Sequence, residues 1–256
     1  MSLTDLSIWA ILFVCAGVFC ASFVDAIAGG GGIIALPVYI ISGLPAHMAI
    51  GTNKFSSTIG TSVSTIRYIK NGYADLKLAL PCILIAIPGG FVGTKLQLMV
   101  DENYLKFMLI FLLPVVAFVI LKQKSFPEEP GEISPVLQKA IVYVSTFIVS
   151  IYDGFYGPGT GTFLLLAFCN LGKLDVRTAS GNMKIVNFSS NIGALISSFF
   201  AHKIFFTLGA IASVFSIAGH YIGSGLTIRN GSRIVRPVII VVLILLLVKV
   251  LWEFVF

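Results

Sequence analysis

The sequence predicts an all-α polytopic membrane protein built from two structural repeats, and three observations predict it. Hydrophobic residues make up 57% of the chain and charged residues only 11%, where a soluble domain carries roughly a quarter charged. The apolar residues gather into runs of the roughly 20 residues needed to cross about 30 Å of hydrocarbon. Motifs in the first half of the 256 residues recur in the same order in the second half, as a duplicated fold requires.

The elements follow in chain order. A first span is expected from Ser7 to Ala28. No basic residue precedes it and Asp5 does, so it lacks the charged leader of a cleaved signal peptide and is expected to stay. Gly29, Gly30, Gly31 and Gly32 then break the helix, and a short apolar segment runs from Ile33 to Ile41. A polar-speckled span, Ala46 to Tyr68, precedes two cleaner ones, Ala74 to Leu98 and Tyr104 to Leu121. The stretch Lys122 to Pro135 carries three acidic residues, two lysines, Pro127, Pro130 and Pro135, which suits an extended linker and not a helix.

The second half repeats this layout: a span from Val136 to Tyr156, a Gly/Pro break, a short segment from Gly161 to Leu171, then spans at Ala179 to Ala201, Ile204 to Leu226 and Val235 to Phe256. The expected total is about eight full transmembrane helices plus two short Gly-flanked segments that either cross or re-enter. The first repeat is residues 1–121, the linker 122–135 and the second repeat 136–256.

The match extends to residues. Asp25 ahead of four glycines corresponds to Asp153 ahead of Gly154, Gly157, Gly159 and Gly161, and Phe55-Ser56-Ser57-Thr58-Ile59-Gly60 corresponds to Phe188-Ser189-Ser190-Asn191-Ile192-Gly193. The offset grows from 128 residues (Asp25 to Asp153) to 133 (Phe55 to Phe188). The loop after the first polar span carries Arg67, Lys70 and Lys77; its counterpart carries only Lys203, while Arg229, Arg233 and Arg236 crowd the next loop. Basic loops stay in the cytoplasm, so equivalent loops prefer opposite sides and the repeat is expected to be inverted, with the linker inside and both termini outside.

A net charge of +6 builds no basic face, because the 17 Lys and Arg fall singly or in small groups between apolar runs; nucleic acid is not an expected partner. Cys15, Cys20, Cys82 and Cys169 are scattered through apolar segments without metal-ligand spacing, so neither a metal nor another cofactor is expected. The expected partners are the lipid bilayer and a small anion, and nothing in the sequence sets an oligomeric state.

An ionised side chain deep in a bilayer costs from about 2.5 to more than 10 kcal/mol, which singles out Asp25, Lys54, Asp153 and Lys184. Each half supplies one Asp just before its glycine break and one Lys on its polar span, with Asn53 beside Lys54 and Asn182 two residues before Lys184. Residues three or four apart share a helix face, so Asn53, Ser56, Ser57 and Gly60 form one stripe, and Lys184, Asn187 and Asn191 another, with Ser190 nearby. Such stripes either face a cavity or simply allow close helix packing.

A chain break at membrane depth is tolerated where it lines a cavity, and helix starts there offer free N–H groups and a positive dipole end. Gly30, Gly31 and Gly32 and the run Gly159, Thr160, Gly161, Thr162 therefore join the two lysines as candidate ligands for a small anion. Asp25 and Asp153 either cap the freed N–H groups, pair with Lys54 and Lys184, or carry a proton that couples to substrate movement.

These residues also carry a resemblance. Val24-Asp25-Ala26-Ile27-Ala28 with its four glycines, Gly51-Thr52-Asn53-Lys54, Arg67-Tyr68, the run Tyr152 to Thr162 and Ala179-Ser180-Gly181-Asn182-Met183-Lys184 resemble the sulfite exporter TauE/SafE family of membrane transporters over nearly the whole chain. The resemblance implies a bacterial cytoplasmic-membrane protein that exports small anions such as sulfite, sulfoacetate and other organosulfonates. Gly181 stands where alanine is more often expected.

Two other classes compete. Tyr152-Asp153 is similar to the first motif of aspartyl intramembrane proteases, but Gly157-Pro158-Gly159 leads into Thr160 and not into the second Asp. Thr178-Ala179-Ser180-Gly181 misses the first residue of a serine protease motif, so neither catalytic pair is assembled and no enzyme activity is expected. An anion channel would need the same polar midplane; duplication and broken segments favour a carrier.

Overall fold

The computed structural model describes residues 6–101, 103–105, 127–230, 234 and 237. Among these residues all regular structure is helical. Helices α1 (Ile8–Ala28), α2 (Gly32–Ile41), α3 (Ala46–Lys70) and α4 (Leu76–Leu98) belong to the first half. Helices α5 (Pro135–Phe155), α6 (Thr160–Leu166), α7 (Val176–Phe200) and α8 (Phe206–Asn230) belong to the second, and α6 continues into a π-helical turn, Ala167–Leu171. The expected spans at Tyr104 to Leu121 and Val235 to Phe256 lie almost wholly outside the described residues.

Local chemistry sets the helix starts. Ser7 and Ser134 accept hydrogen bonds from the N–H groups of Ala10 and Leu137, and Asp75 and Asp175 each accept from two N–H groups of the following turn. Such caps satisfy donors that have no partner inside the helix. Asp175 starts α7 three residues before the expected Ala179, and Pro135, expected as the last linker residue, is the first residue of α5, where its missing N–H costs nothing.

Among the described residues, α1, α4, α5 and α8 are long and apolar enough to cross a membrane, and Gly32–Ile41 and Thr160–Leu171 form shorter apolar segments. Helices α3 and α7 are 25 residues each but too polar to meet that test. Their position explains the difference. They pack on each other, α3 also lies against α8 and α7 against α4, while α1 pairs with α8 and α5 with α4. The two polar helices are thus the inner pair, and the apolar helices form the outer layer. Trp9, Leu84 and Val136 on the outer layer are 77% or more exposed, as lipid-facing side chains should be.

Close approach depends on small residues, since lipid gives apolar helices no hydrophobic reason to associate and packing must do it. A Cβ on Gly90 would overlap the Ser190 carbonyl of α7, and one on Gly93 the Ile151 carbonyl of α5. Gly219 and Gly223 of α8 seat Phe19 and Phe23 of α1 in the same way. A Cβ on Gly181 would overlap the Tyr73 carbonyl, which accounts for glycine there.

Candidate functional site

The two glycine breaks cross each other in the interior. Helix α1 ends at Gly29, whose φ of 69° is left-handed, and the second break holds Gly157 and Gly159 at 94° and 82°. Thr162 donates from its N–H to the Gly29 carbonyl at 2.8 Å and from its hydroxyl to the same oxygen at 2.6 Å. A Cβ on Gly29 would overlap the Gly161 backbone, and one on Gly161 the backbone of Gly29. Glycine is needed at Gly29 for conformation and contact, and at Gly161 for contact.

Most polar groups at these breaks are spent on the breaks themselves. Thr160 donates its hydroxyl to the Gly157 carbonyl at 2.7 Å, and Tyr152 donates to the Pro158 carbonyl at 2.6 Å. The N–H of Gly31, at the start of α2, donates to Asp25 Oδ1 at 3.2 Å. Thr160 and Thr162 therefore serve backbone carbonyls in this conformation, and one helix N-terminus already holds a carboxylate.

The four interior charges pair across the halves. Lys54 Nζ on α3 lies 2.8 Å from Asp153 Oδ1 at the end of α5, and Lys184 Nζ on α7 lies 2.8 Å from Asp25 Oδ2 near the end of α1. Lys184 also donates to the main-chain carbonyl of Asp25. Ser190 donates to Asp153 Oδ2 at 2.6 Å, Lys54 donates to Asn191 Oδ1 at 2.9 Å, and Asn191 donates onward to Asn187 Oδ1 at 2.9 Å. A buried charge pair survives only when attraction and further hydrogen bonds offset desolvation; here each carboxylate has a lysine and at least one other donor. Of the three sequence alternatives for the aspartates, pairing holds for both and capping for Asp25.

A small open cleft lies between the breaks and the polar helices. Among the expected residues, Asp25, Gly31, Gly32, Asn53, Lys54, Ser57 and Asp153 line it. Gly30, Gly159, Thr160, Gly161, Thr162, Lys184 and Ser190 do not line it; Lys184 and Ser190 stand behind it, holding the two carboxylates. Asn182 stands apart, accepting from the Asp75 N–H at 3.0 Å, where it ties the loop before α4 to α7. The stripe on α3 divides: Ser56 faces Tyr39, with 3.0 Å between the oxygens, while Asn53 and Ser57 face the cleft and are joined by a 3.3 Å hydrogen bond.

His220 of α8 was not singled out by the sequence. It lines the cleft and is 1% exposed, with Nε2 3.8 Å from Asp25 Oδ2 and 3.5 Å from Thr61 Oγ1. The available signal was a lone histidine inside an apolar run. Without a partner in sequence it reads as one more packed residue.

Apolar helices enclosing two polar ones, with buried ion pairs on an open cleft, define a multi-pass membrane protein whose polar chemistry lies in its interior. At 32% identity over 251 residues, 96% of this chain and 94% of the relative, it is similar to the "Probable membrane transporter protein ORF9" of Sinorhizobium sp. A "Probable membrane transporter protein" of Haemophilus influenzae is 30% identical over 95% of this chain and 94% of its own length, and "Probable membrane transporter protein YfcA" of Escherichia coli is 28% identical over 91% and 86%. No solved structure matches the chain. The sequence model of the sulfite exporter TauE/SafE family matches residues 14–250, and the chain belongs to this family of membrane transporters.

Proposed function

We propose that the chain is a secondary transporter that carries a small anion, a sulfite, organosulfonate or related oxyanion or carboxylate, out of a bacterial cell across the cytoplasmic membrane by alternating access. The observation that carries this reading is the pair of crossed Lys–Asp bridges at two chain breaks, both of whose carboxylates line one cleft. Both lysines are already neutralised by carboxylates. An incoming anion can win Lys54 or Lys184 only by displacing its aspartate or when that aspartate is protonated, so anion binding and proton uptake favour each other. Asn53 and Ser57 supply donors at the cleft wall, and Gly31 and Gly32 let the anion approach the backbone.

Alternating access draws support from contacts that repeat across the halves. Gly51 packs on the Lys203 carbonyl as Gly181 packs on that of Tyr73, and Gly60 packs on His220 as Gly90 packs on Ser190. These contacts relate the halves by one offset of 130 residues, which also matches Lys54 to Lys184. The Phe-Ser-Ser similarity, at 133, lies three residues off this register. Two repeats, 1–121 and 136–256, rocking about the crossed breaks would open the cleft to either side in turn.

The test is uptake into proteoliposomes of purified protein, with sulfite, organosulfonates, sulfate and small carboxylates supplied one at a time. Saturable uptake of at least one sulphur oxyanion is expected. Uptake of none contradicts the reading, and rapid flux without saturation makes the protein a channel.

A further inference from the structure

We propose that His220 is the group through which a proton enters the transport cycle, so that the Asp25–Lys184–His220 cluster is the proton-handling side of the cleft. This rests on the anion-carrier reading above. His220 has no assigned role in that reading, yet it occupies the cleft wall with Nδ1 buried and without a hydrogen-bond partner among the described residues. A buried ring nitrogen left unpaired is costly and contributes nothing to packing specificity.

The carboxylate beside it is contested. Asp25 Oδ1 accepts from Gly31, while Oδ2 faces both the Lys184 ammonium at 2.8 Å and His220 Nε2 at 3.8 Å. Across the cleft, Asp153 is held by Ser190 and Lys54 by Asn191. Neither hydroxyl nor amide takes up a proton near neutral pH, whereas imidazole does. The repeated contacts locate the asymmetry: His220 lies against Gly60, and at the related place Gly90 lies against Ser190.

The groups facing the ring are Asp25 from α1, Lys184 from α7 and Thr61 from α3, with Lys54 and Asp153 on the same cleft. Tyr68 on α3 donates its hydroxyl to the Ala26 carbonyl. The four charges cancel. A proton on the imidazole and a monoanion in the cleft also cancel, whereas either alone leaves a unit charge in a low dielectric. The step is simple: one N–H bond forms on the ring's free lone pair with a proton from water when the anion enters, and the proton returns to water when it leaves.

The experiment adds methanesulfonate, whose own charge is fixed near pH 7, to purified protein in weakly buffered detergent solution containing a pH indicator. The wild-type chain should take up about one proton per anion bound, and H220Q and H220N, which keep a polar side chain that cannot be protonated, should bind the anion more weakly and, at saturating anion, with no uptake. Carbon-13 spectra of histidine-labelled protein supply a second readout: the His220 signal, assigned by its absence in H220Q, should change from imidazole to imidazolium on anion addition. Binding without proton uptake, uptake undiminished in both variants, or a His220 signal that stays that of the neutral ring would each overturn the proposal while leaving the anion carrier standing. Failure of every anion to bind the wild-type chain overturns the carrier reading, and this proposal falls with it.

Discussion

Lys54 and Asp153 sit where neither would be tolerated alone, 3% and 2% exposed and 2.8 Å apart. Removing one partner leaves a buried charge uncompensated, which costs about 3–5 kcal/mol, whereas replacing both by apolar groups is often neutral. Lys54→Met should therefore lower the thermal unfolding midpoint in detergent sharply, and adding Asp153→Leu should restore most of it. A double variant as unstable as the single would mean that the pair does not hold the interior. The sequence identified these four charges because charge in lipid is rare. It left open which Lys meets which Asp, because that pairing crosses between halves more than 90 residues apart and depends on how the breaks cross. His220 escaped notice for the same reason: its meaning comes from Asp25 and Thr61, contributed by two other helices.

The glycine runs are legible as breaks, but the chain does not need each glycine equally. Gly29 is left-handed and abuts Gly161, while a Cβ on Gly30 would meet only Ile33 Cδ1 at 3.6 Å and Thr162 Oγ1 at 3.9 Å, both ordinary contacts. Gly29→Ala should abolish the monodisperse peak on size-exclusion chromatography, and Gly30→Ala should leave it unchanged; equal tolerance of both would contradict the crossing of the breaks. Helix identities were readable from apolar runs, and the largest shift of a start comes where a side-chain cap governs, as Asp175 does for α7. The threonines of the second break looked like ligand donors in sequence. In the fold Thr162 bonds the first break and Thr160 its own turn, a use that depends on a neighbour the sequence does not reveal.

At the scale of the molecule, composition located the protein in lipid, and the packing of the helices separates an outer apolar layer from an inner polar pair. In sequence α3 read as a polar-speckled span and α7 as a further span; flanked by α4 and α8, they form the charged interior of this member of the TauE/SafE family. The two lysines come from opposite halves, and each holds a carboxylate that lines the same cleft. The proposed anion site is this pair of crossed lysines. The direct measurement is uptake, in proteoliposomes, of the best anion from the panel by wild type, Lys54→Ala, Lys184→Ala and Lys77→Ala, the last an exposed lysine at the start of α4. The account predicts that each interior variant loses most of the uptake, on the order of tenfold or more for one lost charge-assisted contact, while Lys77→Ala transports like wild type. Equal rates in all three variants would contradict it.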